Sequence, residues 1–222
     1  MTYKTDFIEF LVRAGVLTFG DFVTKSGRKT PYFINTGNYR SGAQLARLGE
    51  FYAQALIEHF GGNFDNLYGP AYKGIPLAVA AGIALSCNHD LDVSITYNRK
   101  EAKDHGEKGS LIGHQYTGFE RVIIIEDVIT AGTSVRESLA LLQAASNPHV
   151  AGVIVSVDRM EKGQSALSAV QEVQNQFHLP VYSIVNVREI ITHLHHRPID
   201  GKIYIDDLVK QRLEEYLQKY GV

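Results

Sequence analysis

No stretch restricts the folding of this chain as much as Val122 to Ser134, VIIIEDVITAGTS. Its first four residues, Val122-Ile123-Ile124-Ile125, form an unbroken β-branched run, which suits a strand covered on both faces. Two carboxylates, Glu126 and Asp127, stand where such a strand would leave its sheet. Thr130-Ala131-Gly132-Thr133-Ser134 then makes a loop of small and hydroxylated residues before a helical pattern opens at Val135. Backbone N–H groups can converge on an anion at such a turn, and the helix dipole adds to the attraction. Acids beside an anion cradle call for a ligand that also presents hydroxyls or a metal. A ribose 5-phosphate offers both kinds of group at about that spacing. The competing reading is an ordinary strand–turn–helix with solvated acids, but strand-end loops of α/β sheets are where ligands sit.

Around this segment the periodicities alternate. Leu67-Tyr68 reads as a strand, Ile75 to Ser86 as a helix, and Val93 to Tyr97 as a strand. Past a long polar loop, Asn98 to Phe119, and the central segment come a strand Val150 to Val157, a helix Ser165 to Phe177 and a strand Val181 to Val187. Such β-α-β alternation from about residue 63 to 187 predicts an α/β fold with a mostly parallel central sheet flanked by helices. Ahead of it lie an amphipathic helix over Tyr3 to Ala14, short strands Val16 to Val23 and Tyr32 to Asn35 about a basic turn, and a helix Gln44 to Phe60 closed by Gly61-Gly62. Residues 1–40 do not fit the alternation and read as a small hood beside the ligand-binding edge. A helical turn, Ile190 to Leu194, and a helix, Asp206 to Tyr220, end the chain. One domain over residues 1–222 is expected, part of the C-terminal region joining the hood.

Composition narrows the classes. A net charge of −2 argues against a general nucleic-acid or membrane-surface binder. The lone cysteine, Cys87, has no internal partner, so nothing ties the chain to an oxidising compartment; its Ala-rich helical surroundings predict a buried thiol. The first ten residues, MTYKTDFIEF, carry dispersed charges and no apolar core, so no signal peptide is expected, and no apolar run reaches membrane-spanning length. Cytoplasmic location is the expectation.

Three further stretches carry chemistry. Asn98 to Gly109, NRKEAKDHGEKG, holds four Lys or Arg and one His without an apolar anchor. Loops this long are uncommon in compact domains and are often lids, although charge runs are usually solvated faces. Tyr68-Gly69-Pro70-Ala71-Tyr72-Lys73-Gly74 is a strand end, a glycine-bounded turn and a helix start, able to offer N–H groups and Lys73 to a diphosphate. It lacks the GxxxxGK[ST] spacing, and no GxGxxG occurs. Lys25 to Gly37 is a basic turn followed by an aromatic strand, suited to a flat anionic ring. Asp158-Arg159 follows the strand Val150 to Val157, and an Arg fork there suits a carboxylate.

Glu126 to Ser134 resembles the phosphoribosyl-diphosphate (PRPP) signature of the type I phosphoribosyltransferases. KSGRKTPYF from Lys25, GPAYKGIPLA, NRKEAKDHGEKG, EDVITAGTS and Asp158-Arg159, in that order, resemble the orotate phosphoribosyltransferases within that family. The resemblance implies Mg²⁺-dependent transfer of the 5-phosphoribosyl group from PRPP to N1 of orotate in de novo pyrimidine synthesis. It assigns the ribose hydroxyls to Glu126 and Asp127, and the 5-phosphate to the loop that continues through Val128, Ile129, Thr130, Ala131, Gly132, Thr133 and Ser134. Lys25, Tyr72, Lys73, Arg99, Lys100, Lys103 and His105 would complete the PRPP site. Lys103 would be the main catalytic lid residue, with Arg99, His105 and Asp127 also catalytic. Lys25, Phe33, Ile34, Thr130 and Arg159 would recognise orotate; Ile34 stands where a second aromatic can occur, and Glu126 where Asp is also common. Magnesium would be held mainly through PRPP rather than by protein ligands. A homodimer is implied, with active sites at the subunit interface and lid residues reaching the neighbouring site.

Two other readings compete. A purine phosphoribosyltransferase would leave Arg159 without a carboxylate to bind, and a PRPP-sensing nucleic-acid binder would need a basic face that the charge does not supply. His193, His195 and His196 offer metal-ligand chemistry but no second ligand cluster near them in sequence, so no metal is expected there. His59, His89, His114, His149 and His178 read as solvated.

Overall fold

The computed structural model describes residues 2–24, 27–100, 110–130, 132–163 and 165–222. Its centre is a six-stranded sheet of β3 (Asn66–Gly69), β4 (Ser94–Asn98), β5 (Leu111–Gly113), β6 (Arg121–Glu126), β7 (His149–Asp158) and β8 (Val181–Asn186), in the order β5-β4-β3-β6-β7-β8. All neighbours are parallel except β4 and β5, which are antiparallel. Period-two alternation along the strands divides two cores. Leu67, Ile123, Ile125 and Ile154 face one, packed with α2 (Gly42–Phe60) and α3 (Gly74–His89). Tyr68, Val122, Ile124, Val153 and Val155 face the other, under α4 (Thr133–Ala144) and α5 (Ala169–Phe177). The unbroken β-branched run of β6 is thus a strand buried on both faces.

The remaining elements gather at one side. α1 (Tyr3–Arg13) buries Phe7, Ile8, Leu11 and Val12. β1 (Leu17–Val23) and β2 (Lys29–Ile34) form a separate antiparallel hairpin, followed by a 3-10 turn, Thr36–Asn38. α6 (Val187–Leu194), a short hairpin of β9 (Pro198–Ile199) and β10 (Lys202–Ile203), and α7 (Asp207–Tyr220) complete the chain. α2 opens with a capping box between Ser41 and Gln44 and closes on Gly61 at φ 60°. A Cβ on Gly49 would lie 2.3 Å from the Ala80 carbonyl oxygen, so α2 and α3 touch backbone to backbone there.

Several expectations need correction. Lys29, Thr30 and Pro31 belong to β2 rather than to the turn; Pro31 sits where the hairpin register shifts, a place that needs no ladder N–H. Part of the expected polar loop is β5, which pairs Tyr97 with Ile112 and Asn98 with Leu111. α5 starts at Ala169, not Ser165, because Ser168 and Gln171 make a capping box. Cys87 is exposed: α3 is apolar on every side, and among the described residues no element covers its Ile83–Cys87 face. His59 is not solvated, its ring stacking on Tyr182 at 4.2 Å between centroids. His114 pairs with Glu120 at 3.0 Å. Among the described residues, no helix is long and apolar enough to cross a membrane.

Candidate active site

β3 is followed in sequence by β4 on one side, whereas β6 lies on its other side and leads on to β7 and β8. That reversal of strand order opens a crevice at the carboxyl ends of β3 and β6, the place where open α/β sheets bind ligands. The parallel register pairs Asn66 with Val122 and Tyr68 with Ile124, which sets the Gly69–Gly74 turn beside Glu126 and Asp127.

The turn after β3 depends on its glycines. A Cβ on Gly69 would approach the Gly74 carbonyl oxygen to 2.4 Å, and one on Gly74 would meet Pro70 Cδ at 2.6 Å and the Ile125 carbonyl oxygen at 2.9 Å. The Ala71–Tyr72 peptide is cis. The Ala71 N–H donates to Asn98 Oδ1 at 2.8 Å, tying this turn to the end of β4. Tyr72 is largely exposed, with the Lys100 ammonium 5.1 Å from its ring centroid.

Asp127 collects donors from three directions. Lys73 Nζ at 2.9 Å and Thr36 Oγ1 at 2.8 Å reach its Oδ2, and the Val128 N–H reaches Oδ1 at 2.8 Å. Ser156, on β7, donates both its N–H and its hydroxyl to the Asp127 carbonyl, and the buried Tyr52 hydroxyl donates to the Glu126 carbonyl at 2.6 Å. The Glu126 carboxylate accepts from the Ser134 hydroxyl. Burial pushes the Glu126 carboxyl up to about 7, the Ser134 hydroxyl opposing and the Asp127 charge adding to the rise.

Gly132 stands at φ 67° immediately before α4, and a Cβ there would meet Val173 Cγ2 at 2.6 Å. α2, α5, α6 and α7 start with side-chain caps from Ser41, Ser168, Asn186 and Asp206. α3 and α4, the two helices that open at the crevice, have no side-chain cap and no acid in the first turn. α4 thus offers its first N–H groups and positive dipole end to an anion, whereas in α3 the Gly74 N–H donates to the Pro70 carbonyl at 2.9 Å and Pro76 has no N–H, so its dipole end is the main attraction. Thr130 is exposed at the rim, Ile129 is buried, and Thr133 and Ser134 open α4.

The cationic segment after β4 is framed by antiparallel pairing with β5, extended by the Arg99 N–H to the Ser110 carbonyl at 2.8 Å. Arg99 and Lys100 thus stand at the edge of the crevice strand β4. Lys103, His105, Lys25 and Ala131 lie outside the described residues.

The residues expected to meet a base come from two places. Phe33 is exposed and stacks on Phe22 at 5.5 Å, while Ile34 alternates inward and joins the core. Arg159 follows β7, its guanidinium 4.7 Å from the Tyr32 ring centroid and hydrogen-bonded to Glu161. Sequence reasoning passed over Tyr52, Ser156 and Glu161 and gave no role to Thr36 or Asn98 within their stretches, since single polar residues far apart in sequence carry no signal of which acid or turn they will meet. His195 and His196 both place Nε2 2.9 Å from Asp207 Oδ1, a carboxylate that their sequence spacing did not announce.

The cleft of about 550 Å³ lined by Val12, Phe19, Pro31 and Tyr204 contains none of these residues. Residues 35–183 match the family profile described as the phosphoribosyl transferase domain. The orotate phosphoribosyltransferase of Clostridium beijerinckii is 52% identical over 219 residues, 99% of this chain and 98% of the relative. That of Vibrio cholerae is 52% identical over 192 residues, 86% and 88% of the two chains. The crystal structure of orotate phosphoribosyltransferase from Francisella tularensis superposes with a TM-score of 0.83 at 37% identity, covering 98% of this chain and all of that one. The Mycobacterium tuberculosis enzyme in complex with PRPP shares the fold at a TM-score of 0.63 and 19% identity, covering 85% of this chain and 99% of that one. The chain belongs to the phosphoribosyltransferase family, among its orotate phosphoribosyltransferases.

Proposed function

We infer that this enzyme transfers the 5-phosphoribosyl group of PRPP to N1 of orotate, giving orotidine 5′-monophosphate and pyrophosphate. The observation that carries the reading is the pairing of Glu126 and Asp127 with the uncapped start of α4, beside the glycine-bounded turn after β3. Ribose hydroxyls meet the acids and the 5-phosphate meets the N–H groups from Gly132 to Val135. As the C1–O bond breaks, negative charge grows on the leaving diphosphate. Tyr72, Lys73 and the positive dipole end of α3 receive it from one side; Arg99 and Lys100 receive it from the other, joined by Lys103 and His105 of the same segment. Closure of that segment keeps water from the oxocarbenium-like ribosyl centre. Phe33, Thr130 and Arg159, with Lys25 and an edge of Ile34, hold the base, Arg159 facing its carboxylate.

A magnesium ion belongs to this reading, held mainly through PRPP, and when bound it neutralises diphosphate charge. The residues suit that arrangement. Both crevice carboxylates are already engaged by protein donors, so they offer a rim for a substrate-borne ion rather than a cage. The uncovered apolar face of α3, with Ile83 and Cys87 exposed, supports a homodimer in which the cationic segment serves the neighbouring site. Cytoplasmic location and the absence of nucleic-acid or membrane partners complete the proposal. A panel of free bases incubated with PRPP and magnesium tests it. Loss of orotate alone is expected; turnover of adenine, guanine or hypoxanthine without orotate would overturn the acceptor.

A further inference from the structure

Glu161, two residues beyond the base-recognising arginine, is the most connected carboxylate near the site. Its Oε1 accepts from Arg159 Nε at 3.0 Å, from Arg159 Nη2 at 2.7 Å and from the Tyr32 hydroxyl at 2.9 Å, and its Oε2 accepts from Arg28 Nη1 at 3.3 Å. Its own backbone is fixed by a bridge to Gly221, with the Lys162 N–H on the Tyr220 carbonyl at 2.8 Å and the Val222 N–H on the Met160 carbonyl at 3.0 Å. Arg28 lies over the Tyr220 ring and Arg159 over the Tyr32 ring. One carboxylate, anchored by the end of α7, therefore fastens the β1–β2 hairpin to the loop after β7.

Those two pieces carry the candidate base contacts. Tyr32 precedes Phe33 on β2, and Arg28 belongs to the same basic turn as Lys25. An arginine side chain left to itself spreads over many rotamers, whereas a planar fork already fixed at one edge loses little further freedom on binding. Glu161 engages the Nε–Nη2 edge of Arg159 and leaves Nη1 for a second anion. Its charge also matters. One carboxylate between two guanidiniums leaves a single positive charge for a single substrate carboxylate.

We propose that Glu161 is the positioning residue of orotate recognition, holding the Arg159 fork toward the substrate carboxylate and locking the hairpin to it. This rests on the reading above that Arg159 meets that carboxylate. The test compares steady-state kinetics of Glu161→Gln and Arg159→Ala with the unaltered enzyme, varying orotate and PRPP separately. Glu161→Gln keeps size but sets an amide donor against an arginine. It is expected to raise the KM for orotate about fivefold or more and to leave the KM for PRPP within about twofold, with the melting temperature nearly unchanged. Glu161→Asp, which retracts the carboxylate and keeps its charge, is expected to give the same split and serves if the glutamine variant does not fold. A KM for orotate at the unaltered value, or both KM values rising together, would overturn the proposal, the second outcome reducing Glu161 to general structure. If Arg159→Ala also left the KM for orotate unchanged, the base-site reading itself would have failed. A raised KM in Arg159→Ala beside an unchanged one in Glu161→Gln would sink the positioning role alone.

Discussion

Glu126 and Asp127 are adjacent in sequence and differ in what surrounds them. Asp127 is matched by Lys73, Thr36 and a backbone N–H, whereas Glu126 accepts only from the Ser134 hydroxyl and the Asp127 N–H among the described residues, and burial pushes its carboxyl up to about 7. Between the ordinary carboxylate value of 4.5 and about 7, the folded protein keeps a proton on Glu126 that the unfolded chain releases. Stability from this group therefore falls as pH rises through that window, and the loss is complete above it, at roughly 3 kcal/mol. Glu126→Gln removes the penalty. Urea unfolding is expected to show the variant more stable than the unaltered protein at pH 8 by up to that amount, with the difference gone at pH 4. Equal differences at the two pH values would contradict the assignment. The acids themselves were readable from sequence, because a strand end followed by small residues announces them. Their partners were not: Thr36, Tyr52 and Ser156 come from three other elements, and only folding brings them to Asp127 and Glu126.

Among the elements, hydrophobic period carried furthest. The five parallel strands that alternate with α3, α4 and α5 follow from short apolar runs, mostly β-branched, and from apolar helical faces, since burial on both sides of a sheet leaves a clear pattern. β5 was hidden because it has only three residues, next to a highly charged stretch that reads as loop. β9 and β10 were missed although Asp200-Gly201, at φ 51° and 80°, is a hairpin turn signal; strands of two residues are too short to show a period. Cys87 misled because an apolar helix normally lies inside, and α3 has one side that none of the described residues covers. The turn after β3 gives the sharpest element-level expectation. Helix propensity favours alanine over Gly74 by about 1 kcal/mol. A Cβ there would meet backbone at Ile125 and the Pro70 ring, so Gly74→Ala should instead destabilise by about 1–3 kcal/mol. That is a fall in melting temperature of roughly 3–10 °C. Calorimetry showing no change would mean that the turn has slack.

For the molecule as a whole, the proposal that each active site is completed by a second copy has its own test. Lys103→Ala is expected to lower kcat by about 100-fold or more while the fold stays intact. Mixing that variant with Asp127→Asn should restore roughly a quarter of the unaltered activity, because half of the randomised dimers then carry one complete site. Activity no higher than that of either variant would put Lys103 in its own subunit's site. A crystal structure with PRPP and magnesium decides whether the crevice between β3 and β6 is where the donor reacts. The ribose hydroxyls are expected against Glu126 and Asp127, with the 5-phosphate on the first N–H groups of α4 and the diphosphate at Lys73. PRPP bound away from Asp127, with the start of α4 empty, would contradict the whole account.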